Sequence, residues 1–85
     1  MKDGYDFEKS FLALYLKSKI YSTGKTQNEI GHELGIGRSV FNDIVNGKTN
    51  PSLSNILKIF NHLNIEMDEY LKALKTTREG IKNGK

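Results

Sequence analysis

The amino-acid sequence predicts an all-α domain built from five helices. Two observations carry that expectation. Apolar residues return at intervals of three and four along several separate stretches, the spacing that puts them on one side of a helix. The stretch from Thr26 to Asn46, TQNEIGHELGIGRSVFNDIVN, then divides at a glycine-flanked break into two short segments, with Ile30 and Leu34 on one side and Ile36, Phe41 and Ile44 on the other. Two helices that cannot continue in line must cross. Gly31, almost without a side chain, would let them approach closely, and Gly35 can take the left-handed backbone conformation that turns the chain.

Composition bounds what the protein can be. A length of 85 residues suits one domain with one small core and is too short for two. The absence of cysteine removes both a disulfide framework and a thiolate zinc site, and makes a reducing cytoplasm the expected compartment. No apolar run approaches the roughly 20 residues of a membrane span, and the opening MKDGYDFEK carries acids where a signal peptide would be apolar. The net charge of +3 is compatible with a nucleic-acid partner without establishing one.

Residues 1–6 lack periodicity and read as a flexible amino-terminal arm, followed by a domain over 7–75. The first helix begins at Phe7, with Phe7, Phe11, Leu12, Leu14, Tyr15, Leu16, Ile20 and Tyr21 on a broad apolar face and Lys9, Lys17 and Lys19 outside it. It ends near Ser22-Thr23-Gly24. The second helix starts at Thr26, whose hydroxyl can accept from the amide of Glu29 while the Glu29 carboxylate reaches back, a capping box that stabilises by about 1 kcal/mol. Gln27 and Asn28 are thereby left on an exposed first turn, where side chains and amides can meet a phosphate.

The third helix covers Arg38 to Asn46. Burial of Phe41 and Ile44 forces Arg38, Ser39, Asn42, Asp43 and Asn46 outward, with Val40 and Val45 on the flanks. Such a face can read base edges: arginine pairs with guanine, asparagine with adenine, aspartate accepts from cytosine, and serine serves either way. An ordinary solvated face would have the same composition. Gly47 stands where a carboxy-terminal cap belongs, and Lys48-Thr49-Asn50-Pro51 forms a polar turn whose lysine can meet a phosphate or simply water. Ser52 can cap a fourth helix with Leu53, Ile56, Leu57, Ile59, Phe60 and Leu63 at helical spacing. A fifth helix runs from Met67 to about Lys75, with Met67, Tyr70, Leu71 and Leu74 on one side. Residues 76–85 read as a polar tail that stays disordered, or alternatively as a continuation of the fifth helix beside a second subunit. The core expected from all periodicities together is Ile30, Leu34, Ile36, Phe41, Ile44, Leu53, Leu57, Phe60 and Leu63.

From Thr26 to Ile65, about half of the chain, the sequence resembles the helix-turn-helix DNA-binding domains of the Cro and phage-repressor type. The resemblance rests on Gln27 at the start of the second helix, the pair Ile30-Gly31, Gly35 at the turn, Phe41 and Ile44 in the third helix, and NGK, NPSL, LKIF and LNI at the family's spacing. The chain departs from the pattern at Lys25, where the family usually has an apolar residue, and at Gly37, where it commonly has serine or threonine. The resemblance implies a five-helix lambda-repressor-like fold and a sequence-specific double-stranded DNA-binding transcriptional regulator, a dimeric repressor with helix 3 in the major groove. It assigns base reading to Arg38, Ser39, Asn42 and Asp43. Phosphate contacts fall to Gln27, Asn28, Asn46, Lys48 and Thr49, and a homodimer interface on a palindromic operator to Met67, Tyr70, Leu71 and Leu74.

A reading of another class remains open, a protein-interaction module on the same scaffold, such as an antitoxin or anti-repressor with a protein partner. Asp43, an acid in the middle of the outward face, keeps it in play. Catalysis has little to stand on. There is no cysteine nucleophile, no recognisable serine–histidine signature and no glycine-rich phosphate loop, and Glu29 and Glu33 fit an exposed helix face. His32 and His62 have no partner at metal-ligand spacing, so no metal or other cofactor is expected.

Overall fold

A computed structural model describes residues 6–84, with side chains as far as Gly80. The arm expected over residues 1–6 therefore lies outside the described residues except for Asp6. Five helices follow one another: α1 (Asp6–Thr23), α2 (Gln27–Leu34), α3 (Arg38–Val45), α4 (Leu53–His62) and α5 (Met67–Gly84). Among the described residues there is no strand.

Helix α1 buries Leu12, Ala13, Leu16 and Ile20 against α3 and α2. Its expected apolar face is too broad. Leu14 is 67% exposed and Tyr21 87%, because the helix is covered from one side and only a single stripe of it meets the core. The start of α2 follows the sequence closely: the Glu29 amide donates to Thr26 Oγ1 at 3.1 Å and the Thr26 amide to Glu29 Oε1 at 2.8 Å, completing the capping box.

The turn between α2 and α3 is built on Gly35, at φ 71°. That left-handed geometry lets the Gly35 amide reach the His32 carbonyl at 3.1 Å and the Ile36 amide reach that of Gly31 at 3.2 Å, which satisfies two carbonyls of the last turn of α2. Gly31 is where the crossing is tightest: a Cβ placed there would stand 2.9 Å from Phe41 Cδ2.

Helix α3 buries Phe41, Ile44 and Val45. Val45 is not a flanking residue; α2 and α1 both pack on α3, widening the covered arc until Val45 is wholly enclosed, while Val40 stays half in water. Helix α4 is capped by Ser52, whose hydroxyl accepts from the Asn55 amide at 3.2 Å. Here the expected core needs correcting. Ile59 and Phe60 are buried and Ile56 and Leu63 pack beside them, but Leu53 and Leu57 face solvent. Leu57 lies about 100° round the helix from Ile56, beyond the narrow stripe that α4 presents to the core.

Ile65 and Tyr70 complete the interior. Tyr70 sits among Phe11, Tyr15 and Phe60, with ring centroids at 5.7, 5.0 and 5.1 Å. Burial, helped by the neighbouring Tyr15, pushes its hydroxyl pKa up to about 12. Helix α5 does not stop near Lys75. It runs on to Gly84, and on the way the Arg78 guanidinium pairs with the Glu8 carboxylate of α1 and stands over the Phe7 ring.

Candidate nucleic-acid interface

The crossing of α2 and α3 turns one side of α3 to solvent along its whole length. Arg38, Ser39, Asn42, Asp43, Asn46 and Lys48 line one open hollow there. Helical spacing arranges them in rows, Arg38 with Asn42 one turn apart and Ser39 with Asp43 one turn apart. Lys48 joins them because the chain turns back at the end of α3, its amide donating to the Asp43 carbonyl at 2.9 Å. Arg38, Ser39, Asn46 and Lys48 are exposed, whereas Asn42 and Asp43 are half-buried. Cations stand at the two ends of the hollow with one carboxylate between them.

At the head of α3, Gly37 provides no side-chain cap, so the first amides of the helix remain open. Asn28 and Thr49 are exposed, Asn28 at the start of α2 and Thr49 beyond the hollow, which it does not line. Gln27 does something that its place in the sequence does not announce. Its Nε2 donates to Asn42 Oδ1 at 2.6 Å, joining α2 to the outward face of α3 across 15 positions. A second, smaller hollow lies over this junction, floored by Gly31, Ile36 and Phe41 and sharing Arg38 and Asn42 with the first.

A family model described as helix-turn-helix matches residues 22–70. The match runs from the last turn of α1 into α5, more than half of the chain, and its turn is the one built on Gly35. The chain belongs to the helix-turn-helix family, of the Cro/C1 type. It is thereby a DNA-binding regulator of an all-α class. Comparison with curated proteins and with solved structures gives no match.

The helix-turn-helix protein has a second polar cluster away from this face. Glu33 on α2 accepts from Lys25 Nζ at 2.5 Å and lies 2.7 Å from His62 Nε2 on α4. The Lys25 bond, followed by that to His62, holds the Glu33 carboxyl below its ordinary pKa, and the same bond raises that of Lys25. Lys25 thus has an ionic role at the site where the family usually places an apolar residue. Among the described residues no group of histidine, cysteine, aspartate or glutamate could hold a metal ion, and no helix is long and apolar enough to cross a membrane.

The four residues expected to form a dimer interface are not equivalent. Tyr70 is 7% exposed and belongs to the protein's own core. Met67 and Leu74 are half-buried against that core, and Leu71 alone turns outward, 49% exposed. The reason is geometric: α5 needs one stripe to seal the aromatic cluster, and Tyr70 is at its centre.

Proposed function

We propose that this helix-turn-helix protein is a sequence-specific repressor that reads duplex DNA with α3 in the major groove and binds a two-fold operator as a dimer. The observation that carries the reading is the hollow along α3, in which donors from Arg38, Asn42 and Lys48 and the acceptor of Asp43 share one open surface. A surface that only neutralises phosphate needs cations alone. An acid among the cations weakens attraction to phosphate and is useful where it meets a base-edge donor. Asn28, Asn46, Lys48, Thr49 and the open amides of α3 would hold the backbone around it. Leu71, with the uncovered edges of Met67 and Leu74, offers a start for α5 to pair with its copy, Tyr70 bracing it from beneath.

Selection of bound DNA from a random duplex pool tests this directly. An enriched palindrome with half-sites roughly 10 base pairs apart is the expected result. A pool that shows no enriched sequence would remove the base-reading proposal, and Asp43 would then favour a protein-interaction module, an antitoxin or anti-repressor, whose partner meets the same face.

A further inference from the structure

We infer that Val40 reads the C5-methyl group of a thymine beside the base pair that Asp43 meets; the inference rests on the proposal that α3 reads base edges. Val40 does not serve the core as its neighbours do. Phe41, Ile44 and Val45 are enclosed, whereas Val40 is 47% exposed. A β-branched side chain half in water also lowers helix propensity, so the fold gains little from a valine in the first turn of α3. The residue before the helix leaves it uncovered. Gly37 has no side chain, and a Cβ there would touch Val40 Cγ2 at 3.9 Å, so the serine or threonine common in the family would shield part of the valine.

Helical geometry sets Val40 on one edge of the outward half of α3. It stands about 60° round the helix from Asp43 and about 100° from Ser39, both of which line the hollow. Asn42, which meets Gln27 of α2, is about 160° away, so Val40 borders the opposite edge. A helix with its side chains is about 10–12 Å across and the major groove about 12 Å wide. Both edges of the outward half therefore come close to the DNA. Of the groups that base pairs present in that groove, the C5-methyl of thymine is the apolar one. Contact between it and Val40 would take apolar surface of both out of water. From Val40 to Asp43 the helix rises about 4.5 Å, close to the roughly 3.4 Å between successive bases of a strand, which puts the thymine next to the pair under Asp43.

The test uses the full chain and the operator that it selects, with each thymine of one half-site replaced in turn by uracil, which pairs alike and lacks only the methyl. One replacement, next to the position whose preference Asp43→Ala relaxes, should weaken binding about fourfold. Val40→Ala should bring the loss at that thymine below about twofold, because the shorter side chain leaves a gap where the methyl was touched. On the uracil operator the same variant should bind as the parent does, since the contact is already gone. Val40→Ile, which keeps an apolar side chain of sufficient reach, should retain the fourfold loss. The melting temperatures of both variants should stay near the parent's, as the fold does not depend on Val40. The inference is overturned if no thymine shows a loss that Val40→Ala removes, or if Val40→Ala weakens binding equally on the thymine and uracil operators. In those cases the base-reading proposal stands if Arg38→Ala and Asp43→Ala still relax positions of their own. A parent that prefers no sequence overturns both.

Discussion

Phe41 is the side chain on which the helix pair closes: 1% exposed, it lies against Gly31 of α2 from its place on α3. Phe41→Ala should cost about 3–5 kcal/mol by leaving a cavity, a large share of the roughly 5–15 kcal/mol a small domain holds. Thermal unfolding checks it; an unchanged melting temperature would contradict the burial. Gly31→Ala perturbs the same contact from the other side. Its Cβ would meet the Phe41 ring at 2.9 Å, and the ring is enclosed and cannot swing clear, so we expect a loss of about 1–3 kcal/mol in denaturant titration. Tyr70 gives a pH signature. Its folded pKa of about 12 exceeds the unfolded value near 10, so its contribution is complete below pH 10 and declines as pH rises towards 12, where the unfolded state releases the proton first. The stability of Tyr70→Phe, measured against the parent across that range, should fall less steeply.

At the scale of elements, what each helix buries depends on how many neighbours it has. Helix α3, covered by both α1 and α2, encloses three residues within five positions, Phe41, Ile44 and Val45, whereas α4 fully encloses only Ile59 and Phe60. Leu57, 52% exposed, is therefore a surface residue despite its place in an apolar repeat. Leu57→Ser should change stability by no more than about 0.5 kcal/mol. A loss of several times that in chemical denaturation would show that Leu57 is covered, by a second copy if the loss depends on protein concentration. Helix α5 shows the converse. Its last turns contain few apolar residues, yet the helix runs on to Gly84, with Arg78 meeting Glu8 and Phe7 on the way.

For the whole molecule, the proposed function separates positioning on DNA from reading it, since it assigns Lys48 to phosphate and Asp43 to a base edge. Lys48→Ala should weaken binding to all duplexes by a similar factor and lower the slope of log affinity against log salt by about one. Asp43→Ala should do the opposite to nonspecific duplexes, raising affinity by removing a repulsion from phosphate while relaxing the choice at one base position. Fluorescence anisotropy over a salt series, on the selected operator and a scrambled one, distinguishes these outcomes. Equal behaviour of both variants on both duplexes would mean that α3 does not read the groove.

What the sequence determined by itself was whatever is settled within a few residues of chain. Thr26 with Glu29, Ser52 with Asn55 and Gly35 with the end of α2 are caps and turns whose partners are at most five positions apart, so their chemistry is written in local spacing. The helix pair and the outward set on α3 followed from the same periodicity. Tertiary structure decided which apolar residues are covered, because a period shows which side chains share a face and not how wide an arc the neighbours enclose. Val45 was drawn in for that reason, and Leu14, Tyr21, Leu53 and Leu57 were left out. It also decided every contact between distant positions: Tyr70 sealing Phe11, Tyr15 and Phe60, Arg78 meeting Glu8 across 70 positions, and Gln27 meeting Asn42 across 15. Such contacts leave no period in the chain, since they depend on the angle at which two helices cross, and that angle is set only when the core between them is filled.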